Sequence, residues 1–365
     1  MRRTLEGPVR AWWNNEAGPV GLVLGPLVAP FSLLFGAGVR IRNLLYDQGL
    51  LSTRRGPVPV IAVGNLTVGG TGKTPVARWL LERLQNRGWT PALVSRGYGE
   101  DELLLHRRWN PDVPAIAAPR RVEGVREAAR QGADICVVDD GFQHRRLVRD
   151  LDVVLLSPDD PLPPRLLPRG PYREPLGSLR RAQLVLVTAH GRAREAGALE
   201  LARKVGSREG FPPAIAFPLH PGPWTTLDGQ PHEAPRTSAL VVSSVARPEG
   251  VARLAREAGV ETGRALSFPD HHPYGEAEVE EIRRTAGDLP VVTTEKDAVK
   301  LAPFEAALPP VHVLTLRPEL DPGVERVVDR ILDRALDTAG APGPAERDSV
   351  AEFPGRNRRG REVKE

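Results

Sequence analysis

The residues that most narrowly define chemistry in this chain form a glycine-rich stretch ending in a lysine and a threonine. Thr67-Val68-Gly69-Gly70-Thr71-Gly72-Lys73-Thr74 lies between an apolar, β-rich run from Val58 to Val63 and a helical pattern of Val76, Ala77, Trp79, Leu80, Leu81 and Leu84. The glycines let successive backbone N–H groups face an anion, and the helix start adds its positive dipole end. Lys73 would reach the β- and γ-phosphates, and the Thr74 hydroxyl would ligate Mg²⁺. Thr67 stands where the strict phosphate-loop pattern has glycine, so the flanking strand and helix carry the assignment. A second group ends another apolar run. Ile135 to Val138 leads into Asp139 and Asp140, the place where P-loop proteins hold Mg²⁺ opposite the loop. Gln143, His144, Arg145 and Arg146 follow after a turn at Gly141 and offer phosphate or sugar contacts, or simply a solvated basic face.

Three further constellations are less self-explanatory. Ser95-Arg96-Gly97-Tyr98-Gly99 follows the second predicted strand, at the carboxyl edge where α/β proteins bind ligands, with Asp101 and Glu102 close behind. By position alone these acids read equally well as surface groups in a turn. Phe268-Pro-Asp270-His271-His272-Pro-Tyr274 puts a carboxylate and two imidazoles in a rigid loop without the spacing of a helical zinc pair. Acid–base work, or capping by Asp270 of a helix near Tyr274, are both open. Thr293-Thr-Glu295-Lys296-Asp297 ends a later strand, and its adjacent lysine and aspartate do not make the N-K-x-D element of guanine-selective GTPases.

These groups need a scaffold, and the order of patterns supplies one. From Pro57 to about Thr188 apolar runs (Ala92–Ser95, Ile135–Val138, Val153–Leu156, Leu184–Val187) alternate with helical patterns, as in a mostly parallel sheet between helix layers. Prolines 161, 163, 164, 168 and 171 make the intervening segment a structured loop. Alternation resumes on a smaller scale with Leu240–Ser243, a helix after Pro248, Val291–Thr293, Val311–Leu316 and a helix to about Leu336. The expected division is therefore an N-terminal segment 1–56, a P-loop kinase core 57–221, a smaller α/β domain 222–336 and a disordered basic tail 337–365.

The N-terminal segment carries an uncharged run, Ala17 to Val39, flanked by arginines and by Trp12, Trp13 and Tyr46. Its length suits a single membrane span, although Pro19, Pro26 and Pro30 weaken the case for a straight one; an interfacial helix is equally compatible, the aromatics being typical of that zone, and a buried hairpin is the bland alternative. A net charge of +4 fits an anionic ligand or membrane surface and is too weak to argue for nucleic acid. The single cysteine, Cys136, excludes an internal disulfide and makes a reducing cytoplasm the default.

Taken together, VGNLTVGGTGKTP, SRGYG, DDGFQHRRLVRDLD, LPRGPYREP, SFPDHHPY and TTEKDAVKL, in this order, resemble the tetraacyldisaccharide 4'-kinase family over roughly residues 40 to 335. The resemblance implies a P-loop fold with a membrane-associating N-terminus, on the cytoplasmic face of the inner membrane of a Gram-negative-type bacterium. The implied reaction is transfer of phosphate from ATP, with Mg²⁺, to the 4'-hydroxyl of a tetraacylated glucosamine disaccharide 1-phosphate. It further implies Asp101 as the catalytic aspartate with His271 as its partner, Lys73 at the phosphates, and Thr74, Asp139, Asp140 and Glu102 around the metal. Arg173, with Arg96, Tyr98, Gln143 and His144, becomes a substrate candidate. No nucleic acid and no obligate protein partner are implied. Ser244-Val-Ala-Arg247-Pro248 departs from the family's G-I-A-N-P, and its role stays open. The rivals are a P-loop kinase or ligase for a soluble metabolite, against which the apolar N-terminus speaks, and a membrane-recruited ATPase switch, which would not need the FPDHHPY loop.

Overall fold

The computed structural model describes residues 9, 12, 13, 18–97 and 100–340. The first described helix, α1 (Gly18–Asp47), keeps Pro26 and Pro30 inside it. It is followed by β1 (Val60–Asn65), α2 (Lys73–Asn86), β2 (Pro91–Ser95), α3 (Glu100–Trp109), β3 (Ala115–Ala117), α4 (Arg121–Arg130), β4 (Ile135–Asp139), β5 (Leu151–Leu156), β6 (Leu184–His190), α5 (Glu195–Gly206) and β7 (Ala214–Pro221). Seven of these strands run parallel in the order β7-β6-β5-β1-β4-β2-β3. The central strands β1, β4 and β5 are buried along their whole length, which is why they read as unbroken apolar runs rather than as an alternation. Burial also pushes the Cys136 thiol up to about 12, leaving it an inert core residue.

The smaller sheet, in the order β11-β10-β8-β9, is built from β8 (Ala239–Ser243), α6 (Pro248–Glu257), β9 (Thr262–Ser267), α7 (Glu276–Ala286), β10 (Val291–Thr294), α8 (Glu295–Leu301) and β11 (Val311–Leu314). Here the expected division needs correction. The run expected as one strand, Val311–Leu316, breaks at Thr315, and β12 (Leu316–Pro318) pairs antiparallel with β7 of the large sheet through Leu316↔Pro221. The last helix, α9 (Pro322–Thr338), then lays Val328, Leu332 and Leu336 into the core of Ile61, Leu80, Trp79 and Phe217. The smaller unit is thus an insertion, and its expected C-terminal boundary at 336 gives way to one near 315. Residues 337 and 338, expected in the tail, belong to α9; residues 341–365 lie outside the described residues.

Helix α1 is fastened along one side. Ser32 donates to the Leu166 carbonyl at 2.9 Å, and a Cβ on Gly36 would come within 2.8 Å of the Leu166 side chain. Val39 is buried, and Asn43 donates to Glu174 at 2.8 Å. Leu27, Phe31, Leu34, Ile41 and Leu44 are exposed along another side. By length and composition the helix could cross a bilayer.

Candidate active site

The phosphate loop leaves β1 at the middle of the large sheet. Gly72 caps α2 with φ 77°, a left-handed conformation open to glycine, and a Cβ there would meet His190 at 3.2 Å. Two contacts set the loop's shape: the Asn65 amide donates to the Thr71 hydroxyl at 2.8 Å, and Thr188 donates to the Thr71 carbonyl at 2.8 Å. Thr67 is buried, bridges to Tyr172, and has its hydroxyl 3.3 Å from Asp160. Val68 is exposed, and Thr74 opens the helix half-buried. The loop therefore rests on its own strand and on the LPRGPYREP segment behind it.

Asp139 ends β4, the immediate neighbour of β1, and Asp140 follows it in the turn, as their place after an apolar run predicts. Their surroundings differ. Arg173 grips the Asp140 carboxylate with both nitrogens, at 2.8 and 2.9 Å, and Lys73 lies 3.5 Å away. Burial opposes that charge, but the Arg173 hydrogen bonds, then Lys73, hold the carboxyl far below its usual range. Asp140 takes φ 50° to reach this position. Asp139 instead is pushed up, first by burial and then by the nearby Glu102 carboxylate, with Lys73 only partly opposing. A buried acid facing two further acids, with a lysine beside it, is a donor set short of positive charge. It fits a hard divalent cation with oxygen ligands. Among the described residues no cluster of three histidine, cysteine or acidic side chains makes a metal site by itself.

Gln143 donates to the Asn65 carbonyl at 3.0 Å, while its Oε1 and the Nε2 of His144 are buried without a hydrogen-bond partner. Burial, then Arg121, lowers the His144 pKa and keeps the ring neutral. Arg96 is exposed at the end of β2, and Tyr98 lies outside the described residues.

Asp101, readable as a surface acid in a turn, instead lies in the first turn of α3 and is almost fully buried. His271 reaches it from the other unit, with Nδ1 at 3.1 Å from both carboxylate oxygens. Lys296, at the start of α8, has its ammonium 3.2 Å from His271 Nε2, 3.8 Å from Asp101, 3.5 Å from Glu102 and 3.7 Å from Asp270. An ammonium only donates, so it leaves Nε2 of the neutral ring as acceptor and Nδ1–H pointing at Asp101. Burial would raise the Asp101 carboxyl, but the His271 hydrogen bond and the Lys296 and Lys300 charges outweigh it and bring it to about 2. The hydrogen bond to Asp101, against burial and Lys296, raises His271. The neighbouring His272 faces away, 3.0 Å from Glu278, and stacks on Phe268. Asp270 does not cap α7; the N-cap position is Gly275, whose N–H donates to the Glu278 carboxylate at 3.0 Å.

Glu102 stands between the two groups, near enough to Asp139 to shift it and 3.5 Å from Lys296. The sequence reading assigned no role to Asn65, Lys296 or Lys300. Asn65 ends β1, and Lys296 and Lys300 lie on the short helix α8 that follows β10; that placement after a strand was the available signal.

The family profile of tetraacyldisaccharide-1-P 4'-kinase matches residues 24–103 and 99–336. A tetraacyldisaccharide 4'-kinase of Anaeromyxobacter dehalogenans is 40% identical over 83% of this chain and 88% of its own length. One from Halorhodospira halophila is 37% identical over 87% and 94%. Among solved structures, LpxK from Aquifex aeolicus, crystallised in complex with ATP, superposes with a TM-score of 0.68 at 28% identity, covering 86% of this chain and 99% of that one. The chain belongs to the tetraacyldisaccharide 4'-kinase family.

Proposed function

We infer that this chain transfers the γ-phosphate of ATP to the 4'-hydroxyl of a tetraacylated glucosamine disaccharide 1-phosphate, at the cytoplasmic face of the inner membrane of a Gram-negative-type bacterium. The observation that carries the reading is the pairing of Asp101 in the large unit with His271 in the smaller one, beside the acid group that Lys73 and Arg173 flank. A membrane-facing acceptor suits the exposed leucines and Phe31 of α1, which would lie in the interface while Ser32 and Asn43 hold the helix to the kinase.

In this reading the phosphate-loop amides from Thr67 to Thr74 and the Lys73 ammonium hold the β- and γ-phosphates. Thr74, Asp139, Asp140 and Glu102 would hold Mg²⁺, which neutralises charge on the phosphoryl oxygens when bound. Arg173, already aimed by Asp140 and held on Nη2 by Asn65, brings its charge and one free Nη1–H to the same oxygens. Asp101 accepts the 4'-hydroxyl proton as the new O–P bond forms and the ADP oxygen leaves. A carboxylate near 2 is a weak base toward a free alcohol. In a loose phosphoryl transfer, however, the hydroxyl turns acidic only as it bonds phosphorus, so orientation matters more than basicity. His271 fixes that orientation, and because it arrives from the second unit, contact between the units completes the site and limits water. The test is transfer of label from γ-labelled ATP to a panel of acceptors. Labelling of the tetraacylated disaccharide 1-phosphate, and not of soluble sugars, is expected. ATP hydrolysis without acceptor labelling would instead favour the ATPase switch.

A further inference from the structure

The loop Ser244-Val-Ala246-Arg247-Pro248 lies against the phosphate loop. A Cβ placed on Gly70 would come within 3.3 Å of Ala246. Arg247 crosses from the smaller unit to the end of β5, donating to the Ser157 hydroxyl at 2.9 Å and to Asp160 Oδ1 at 2.7 Å. The Asp160 side chain is 4% exposed; it also accepts from the Ser157 amide at 3.1 Å and from the Thr67 hydroxyl at 3.3 Å. The neighbouring Asp159 is held by Arg194 at 2.8 Å and lies 3.8 Å from Arg247. A buried carboxylate therefore stands directly behind the first residue of an anion-binding loop, a position that by itself repels phosphate. Burial raises its pKa, and the charge and hydrogen bond of Arg247 are what chiefly oppose that.

Resting on the ATP site of the reading above, we propose that Arg247 is a positioning residue that neutralises Asp160 behind Thr67, so that the phosphate loop presents a net positive face to ATP. The guanidinium fork suits this role because it meets Asp160 and Ser157 at once and needs no proton to stay charged. One link then joins the smaller unit to nucleotide affinity without touching the reacting atoms.

The test is binding of a fluorescent ATP analogue with Mg²⁺ to the full chain, with thermal melting to establish that each variant is folded. Arg247→Ala should weaken binding roughly tenfold, the effect of one uncompensated charge a few ångströms from a bound anion. Adding Asp160→Asn should restore most of that loss, because the second change removes the charge that the first exposed. Arg247→Lys, which keeps the charge but loses the fork, should stay within about threefold of wild type. A simple strut between units predicts the opposite, that Asp160→Asn adds to the damage and lysine fails to rescue, and either result overturns the proposal. Unchanged affinity in Arg247→Ala overturns it as well. Should Arg247→Ala not fold, Arg247→Lys and the double variant decide alone. A wild-type chain that binds no nucleotide would instead remove the kinase reading itself.

Discussion

Asp101 shows how far a single residue's meaning depends on its partner. In the sequence it was one acid among many after SRGYG; its burial and the approach of His271 across 170 positions are facts of tertiary packing that no local pattern encodes. The phosphate loop was readable because its chemistry is local: backbone amides, lysine and threonine are consecutive. Acting as one unit, Asp101 and His271 should give non-additive losses. Each alanine variant should lose roughly 10² to 10⁴ in kcat with little change in ATP affinity, and the double should be barely worse than the poorer single. His272→Ala, whose ring is spent on Glu278 and Phe268, should be milder. Steady-state kinetics of the four proteins decide this, and multiplicative losses would separate the two roles. The same pair should leave a mark on stability. His271 is raised, so its contribution is complete below its ordinary value near 6.5 and is lost as pH rises through the folded value. Asp101 is lowered to about 2, so its contribution holds above its ordinary value near 3.8 and is lost as pH falls toward 2. The melting-temperature gap between wild type and Asp101→Asn should therefore be widest at about pH 4 to 6.5 and narrow at alkaline pH; a flat gap would contradict the coupling.

Among the elements, strands buried on both faces were the easiest to anticipate, because continuous Val, Ile and Leu runs have few other uses. Helix α3 was missed because its opening turn is acidic and its buried positions, Asp101, Leu103, Leu105 and His106, mix polar with apolar. Helix α1 also outruns the uncharged stretch that marks it in the sequence. The uncharged run ends at Val39, yet the helix continues to Asp47 because its last turns are held by Asn43 on Glu174 and by Arg145 on Asp47 at 2.7 Å. Those ties imply two separable jobs for the two sides of one helix. Serine at Leu27, Phe31 and Leu34 together should release the protein from anionic lipid vesicles in a sedimentation assay while leaving ATP binding intact, since these side chains are exposed. Asn43→Ala should do the reverse, leaving Glu174 less satisfied and costing about 1 to 3 kcal/mol in denaturant unfolding with vesicle binding retained. If the triple serine variant still sediments with vesicles, the attachment lies elsewhere in the chain.

At the level of the whole molecule, the chain makes its ATP-binding unit from both of its ends. Sequence order suggested a core finished by residue 221 followed by a smaller C-terminal α/β domain. Leu316 nevertheless pairs with Pro221, and α9 returns three buried side chains to the first core, with Arg83 binding Asp329 at 2.6 Å alongside. No sequence pattern marks this return, because the strand runs on from Val311 with only Thr315 between the two sheets. The antiparallel pair at 221 and 316 supplies a decisive test. Replacing residues 223–314 by a two-residue Asn-Gly turn should close β7 and β12 into a hairpin, since Gly222 already donates to the Thr315 carbonyl at 2.9 Å in that register and a hydrogen-bonded pair is what such a turn closes. The shortened chain should fold, because Val328, Leu332 and Leu336 still fill the core, and should show one cooperative unfolding transition. It loses Arg247, so Asp160→Asn belongs in the same protein to remove the exposed charge. With that change it should bind ATP and transfer no phosphate, having lost His271 and Lys296. A chain ending at residue 221 should fail to fold, its core lacking α9 and its sheet lacking β12. If that shorter chain folded and bound nucleotide as well as the hairpin protein, the C-terminal helix would be an ornament and the domain order read from sequence would stand.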